Sequence, residues 1–203
     1  MIKYYFHFVA IVFAIVFIIA CSKKEADMSP DQEQQIKQIG EASAEALMKN
    51  LKQHLMEAMS QGETVEALEF CATQAMALTE EVQDNLQPGV QIKRTSFKYR
   101  NPANAPDAHE KTALTFFKTA KNEGKPLPEH LIQTLVDKSE YRFYKPMKVA
   151  TLCLKCHGSI DQLDPAVKKS LSENYPSDLA VNYQVDDFRG LIRISIPAEL
   201  ISK

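Results

Sequence analysis

Arg189-Gly190-Leu191-Ile192-Arg193-Ile194-Ser195-Ile196, stopped by Pro197, is the stretch that decides the fold. Branched apolar residues recur there between turn and breaker residues, which is the pattern of a strand. A strand so late in the chain counts against an all-helical bundle. Val90 to Tyr99, entered through the Pro88-Gly89 turn, and Tyr141 to Lys145 give two further strand signals. Helices surround them. Ser29-Pro30-Asp31-Gln32 reads as an N-cap, a proline in the first turn and a capping-box partner, and opens a helix running to about Gln61 and ended by Gly62. Its apolar stripe is Ile36, Ile39, Ala46, Leu47, Leu51, Leu55 and Met59. A second helix is expected from Thr64 to Leu78, with Leu68, Cys71, Ala75 and Leu78 on one face, so Cys71 points inward. Asp107 with Glu110 caps a third helix to about Asn122, and a short one runs from Pro165 to about Glu173. The class is α+β with a long N-terminal helix.

The N-terminus sets the compartment. Phe6 to Ala20 is almost wholly apolar and ends in Ile18-Ile19-Ala20-Cys21, the form of a lipoprotein signal. Its apolar core of about 15 residues falls short of the roughly 20 that span a bilayer, so cleavage before Cys21 is favoured over an uncleaved anchor. The expected organisation is a signal over residues 1–20, a polar tether over 21–29 and one domain over 30–203. Cys21 then carries the lipid, more than one acyl chain giving stable attachment. Ser22 at the next position directs the expectation to the periplasmic side of an outer membrane. With 24 basic and 26 acidic residues the chain is near neutral, which argues against nucleic acid as a partner.

Cys153-Leu154-Lys155-Cys156-His157 is the chemically informative stretch. C-x-x-C-H is the minimal attachment sequence for a c-type haem: two thiols add across the vinyl groups of one porphyrin and the adjacent imidazole lies under the iron. Half a zinc site would need a second ligand pair at short spacing, and a thioredoxin-like C-x-x-C would need a βαβ unit. The sequence offers neither. With Cys21 assigned to lipid and Cys153 and Cys156 to one haem, Cys71 is left over, either buried and inert or bound to metal. The last methionine is Met147, so a sixth iron ligand lies upstream of the motif.

These residues resemble a known family, the PAS-like monohaem c-type domain typified by a cyanobacterial photosystem-II-associated haem protein and found also as a bacterial sensor module. The likeness covers about Gln35 to Pro197. It is carried by Ala67-Leu68-Glu69-Phe70-Cys71, by Arg94-Thr95-Ser96-Phe97-Lys98-Tyr99-Arg100-Asn101-Pro102-Ala103-Asn104-Ala105-Pro106-Asp107, by Cys153 to Gly158, by Tyr175-Pro176, by Arg189-Gly190 and by Ile194-Ser195-Ile196-Pro197. The resemblance implies a twisted antiparallel sheet flanked by helices, with haem between sheet and helices. It also implies axial ligation by His157 and Cys71. His109 stands where the pattern carries Trp and offers a second nitrogen donor, and Asn182 and Asp186 replace glycines.

Arg94, Arg100, Arg142 and Tyr141 are candidates for the haem propionates, since guanidinium suits carboxylates; ordinary surface charge is the alternative for each. His54 and His130 read as solvated, and Met56, Met59, Met76 and Met147 as core fillers. The expected role is non-enzymatic: one-electron transfer to a redox partner, or sensing of redox state or a small gas. A haem enzyme would need an open distal position with a base and a charge-stabilising donor, which the sequence does not display.

Overall fold

The computed structural model describes residues 28–62 and 64–202. The signal segment, Cys21 and the tether up to residue 27 lie outside these. Helix α1, Pro30–Gln61, begins in the expected capping box: Gln32 N–H donates to Ser29 Oγ at 3.3 Å and Ser29 N–H to Gln32 Oε1 at 3.0 Å. Helix α2, Thr64–Asp84, packs back against it. Strand β1, Gln91–Thr95, helix α3, Ala108–Asn122, and strands β2, Leu131–Leu135, and β3, Glu140–Lys148, follow. The chain ends with the short helix α4, Leu154–His157, helix α5, Pro165–Asn174, and strand β4, Phe188–Pro197. Among the described residues no helix is long and apolar enough to cross a membrane.

The sheet has the order β1-β4-β3-β2 and is antiparallel throughout. The closing strand is therefore central, and both its faces are covered. Ile192, Ile194 and Ile196 join Ile36, Leu47, Val82, Ile92 and Phe143 under the α1–α2 hairpin. Leu191 joins Ala113, Leu114, Phe117 and Tyr144 under α3. Each fully buried side chain of this kind contributes roughly 1.5–3 kcal/mol.

The contact stripe of α1 differs from the expected one in its middle. Gly40, Ser43 and Ala44 are buried, whereas Ala46 is exposed. A Cβ at Gly40 would run into the Phe143 ring, so glycine is what lets the helix backbone lie on the sheet. Helix α2 runs six residues past the expected Leu78, because Thr79 and Val82 continue the buried face. Strand β1 is shorter than Val90 to Tyr99. Ser96 Oγ ends it, donating to Arg189 O at 2.7 Å and accepting from Lys98 N–H at 3.1 Å. Strand β2 has no counterpart in the sequence reading, since Leu-Ile-Gln-Thr-Leu does not alternate apolar with polar residues.

Beneath α3 lies a charged layer. Glu110, 1% exposed, takes Lys93 Nζ at 2.8 Å and faces Arg193 Nε at 3.3 Å, while Arg142 reaches Asp107 at 2.7 Å and Glu140 at 2.6 Å. Three cations meet three carboxylates, the condition under which buried charge is tolerated.

Candidate functional site

The motif sits where β3 runs out. Val149 is stitched to the approach to β4 by two backbone bonds, its N–H to Asp187 O at 2.9 Å and Asp186 N–H to its carbonyl at 2.8 Å. One turn of 3-10 helix, Thr151–Cys153, leads into α4. Cys153 and Cys156 stand three residues apart on this turn, the spacing at which helical side chains are neighbours. Both are half-buried free thiols. Cys153 packs against Val149, Ala180 and Tyr183, and Cys156 against Leu68, Leu163, Val167 and Leu171. Gly158 closes the turn with its N–H on Leu154 O at 2.9 Å, and a Cβ there would lie 2.6 Å from that carbonyl.

A strap from Asp178 to Tyr183 holds His157. The imidazole Nδ1 lies 2.6 Å from Ala180 O. A carbonyl can only accept, so Nδ1 carries the hydrogen and Nε2 presents its lone pair. Among the described residues Nε2 makes no hydrogen bond. Asn182 N–H donates to Gly158 O at 2.8 Å, Tyr183 N–H to His157 O at 3.0 Å, and Ile160 N–H to Asn182 Oδ1 at 2.9 Å. Burial above all, then the positive charge of Arg100 and Arg189, pushes the His157 pKa down to about 3 against the opposing bond to Ala180. The ring is therefore neutral at physiological pH with a fixed tautomer, the state in which histidine binds metal.

Cys71 lies on α2 opposite the motif. Burial pushes its thiol up, and the guanidinium charges of Arg94 and Arg100 pull it back down. Burial likewise raises the Cys156 thiol; Arg100 lowers it, and charge on Cys71 raises it further, so the two sulfurs share one electrostatic neighbourhood between packed helices. Arg94 reaches across from β1, Nη2 donating to Ala75 O at 3.2 Å, and its buried Nε has no partner among the described residues.

Cations the sequence reading did not single out complete the surroundings. Lys98 Nζ donates to Val181 O and lies 4.2 Å above the Tyr183 ring. Arg189 Nη1 donates to Ser96 Oγ at 3.0 Å and to Lys98 O at 2.9 Å. Their signal was present, because both belong to the stretches that carry the family likeness. Asn182 (φ 60°) and Asp186 (φ 66°) adopt left-handed backbone, which explains how residues of these two types stand where the pattern has glycine.

The structure brings Cys71, Arg94, Arg100, Cys153, Cys156 and His157 together, and two expected residues are left out. Tyr141 and Arg142 begin the strand that ends at the motif, and about 20 Å of extended chain separates them from it. Tyr141 packs into the apolar core under α1, and Arg142 is held by Asp107 and Glu140 on the opposite sheet face, so neither is brought to the motif. His109 is half-buried on α3, where its carbonyl accepts from Gln133 at 3.4 Å, and it is not brought to the motif. His54 and His130 are half-buried rather than solvated, stacked on Phe70 at 6.2 Å and Phe143 at 5.2 Å. Among the described residues no group of three or more His, Cys, Asp or Glu could hold a metal ion.

A family model described as Tll0287-like matches residues 25–197, most of the chain and all of the elements just described up to the end of β4. The chain belongs to the Tll0287-like family. The crystal structure of the cyanobacterial haem-protein Tll0287 superposes with a TM-score of 0.60 at 23% identity, covering 83% of this chain and 96% of that one. That likeness establishes the Tll0287-like fold, with the α1–α2 hairpin and α3 on a shared sheet. A comparison with curated proteins found no match.

Proposed function

We propose that the protein binds one haem c through thioether links to Cys153 and Cys156, with His157 and Cys71 as axial ligands of the iron. The residues present fit that group. Two free thiols stand on one helical turn, the imidazole beside them has its Nε2 unengaged, and a third thiol faces the same space. The observation that carries the reading is the pinned, neutral His157 ring directly after the paired cysteines. That the structural relative is a haem-protein supports it.

Bound there, haem supplies a one-electron ferric–ferrous couple. Cys153 and Cys156 fix its edge, and the His157–Ala180 bond orients one ligand. Cys71, as thiolate, gives an anionic donor that favours the ferric state. Arg94 offers a buried guanidinium N–H for a carboxylate. Two protein ligands close the iron to substrate, so the role we propose is electron transfer with a redox partner protein or redox sensing, or gas sensing where the gas displaces Cys71, from a lipid anchor at Cys21 on the periplasmic side of the outer membrane.

The test is an optical spectrum of protein produced with a c-type maturation system, recorded oxidised, reduced and with CO. A Soret band that survives acid-acetone extraction and disappears in Cys153→Ala/Cys156→Ala is expected. Haem released to the solvent would defeat the covalent assignment, and avid CO binding by the untreated protein would defeat the closed iron.

A further inference from the structure

The carbonyl of Ala180 has two donors. His157 Nδ1–H reaches it at 2.6 Å and Arg100 Nη2 at 3.3 Å. The same Nη2 also donates to Cys156 O at 2.6 Å, and Asp178 Oδ2 holds the adjoining edge of the guanidinium, 3.0 Å from Nε and 3.0 Å from Nη2. Both side chains of that pair are nearly enclosed, 11% and 10% exposed. Arg100 therefore ties the backbone of the motif to the strap that orients His157, and it does so from a fixed position.

We propose that Arg100 is a positioning residue that sets the donor strength of His157 toward the iron, acting through the shared Ala180 carbonyl. This rests on His157 being an axial ligand. A carbonyl oxygen that already accepts from a guanidinium is a poorer acceptor for a second donor. The imidazole then keeps its Nδ1 hydrogen more fully, its Nε2 is less basic, and the axial bond is weaker. A weaker axial donor stabilises the ferric state less and raises the reduction potential, opposing the effect of the thiolate. Removing Arg100 lowers the potential.

Lys98 separates this route from simple charge. It donates to Val181 O, the next carbonyl of the strap, and makes no bond to Ala180 O. Lys98→Gln and Arg100→Gln each remove one positive charge from the same strap, and only the second frees the Ala180 carbonyl.

The experiment is a spectroelectrochemical titration of the haem-loaded protein and its variants, with electron-paramagnetic-resonance g-values and thermal unfolding on the same samples. Arg100→Gln is expected to lower the potential by more than Lys98→Gln, and Arg100→Lys, which keeps the charge and loses the planar fork, to lower it in part. The g-values are expected to move in the Arg100 variants and to stay in Lys98→Gln. A shift in Arg100→Gln no larger than in Lys98→Gln, or full restoration by Arg100→Lys, overturns the proposal even if unfolding temperatures fall. Should Arg100→Gln fail to fold, Arg100→Lys decides alone, a lowered potential in favour and an unchanged one against. Failure of the underlying reading looks different: the wild type attaches no haem, or His157→Ala leaves the low-spin spectrum intact.

Discussion

Asn182 and Ile160 are joined side chain to backbone, Asn182 Oδ1 accepting the Ile160 N–H at 2.9 Å while Asn182 itself sits at φ 60°. The bond closes the strap over the turn that carries Cys153, Cys156 and His157. Asparagine is one of the few side-chain-bearing residues that adopt this backbone readily, so one residue provides both the turn and the clasp. Asn182→Ala keeps neither and should cost about 1–3 kcal/mol. Asn182→Gly keeps the turn and loses the clasp, and its smaller loss in thermal unfolding would separate the two roles. Equal losses would show that left-handed strain is immaterial here.

Gly40 offers a second test of packing. In a helix interior Gly→Ala ordinarily gains about 0.5–1 kcal/mol. Here the added methyl meets the Phe143 ring, and overpacking should reverse the sign to a loss of roughly 1–3 kcal/mol. Phe143→Leu, itself destabilising, should restore the favourable effect of Gly40→Ala. Additivity of the two changes in urea unfolding would argue that helix and ring do not meet.

Acid stability carries a sign that follows from Asp107. Partial burial pushes its carboxyl up, but the Glu110 N–H and the Arg142 guanidinium outweigh this and hold it below the usual carboxylate range. A group with a depressed folded-state pKa contributes stability that is complete above its unfolded value of about 3.9 and is lost as pH falls through the folded one. Asp107→Asn should therefore flatten the fall of unfolding free energy below about pH 4. An unchanged acid limb would assign that fall to other carboxylates.

How much of this was legible in the residues depends on the range of each signal. The caps at Ser29 and Asp107 and the strand signal of Leu191 to Ile196 act within a few residues, and the structure has them where the sequence places them. The motif was equally local. What the sequence could not convey was direction across the sheet. Tyr141 and Arg142 are near the motif in number and far from it in space, because a strand carries its two ends apart. Arg189 is distant in number, yet it meets Ser96 and Lys98 because β4 inserts beside β1. Strand β2 carries no alternation of apolar and polar residues, and its place is fixed by pairing with β3.

Membrane attachment is tested at Cys21. If the expected lipoprotein pathway operates, Cys21→Ser should lack the acyl mass and remain unprocessed, held only by the apolar segment from Phe6 to Ala20. Metabolic labelling with a radioactive fatty acid and mass spectrometry of the mature N-terminus read this directly. Labelling that persists in Cys21→Ser would refute the assignment.

The proposed ligation by Cys71 is the sharpest remaining test. Cys71 is a free, half-buried thiol on α2, within the electrostatic reach of Cys156, Arg94 and Arg100. Burial alone would leave it protonated; the two guanidinium charges favour the thiolate, as ferric iron bound there would. Thiolate–imidazole ligation makes the ferric protein low-spin with a depressed potential. Cys71→Ala should give a high-spin signal or recruit another ligand, and should raise the potential, while retaining haem covalently at Cys153 and Cys156. Cys71→Ser, similar in size but a poor iron ligand, should follow the alanine variant in spectrum and potential and lie closer to wild type in thermal unfolding. If both variants keep the wild-type spectrum and potential, Cys71 is part of the packing between α2 and α4 and the iron takes its sixth ligand elsewhere.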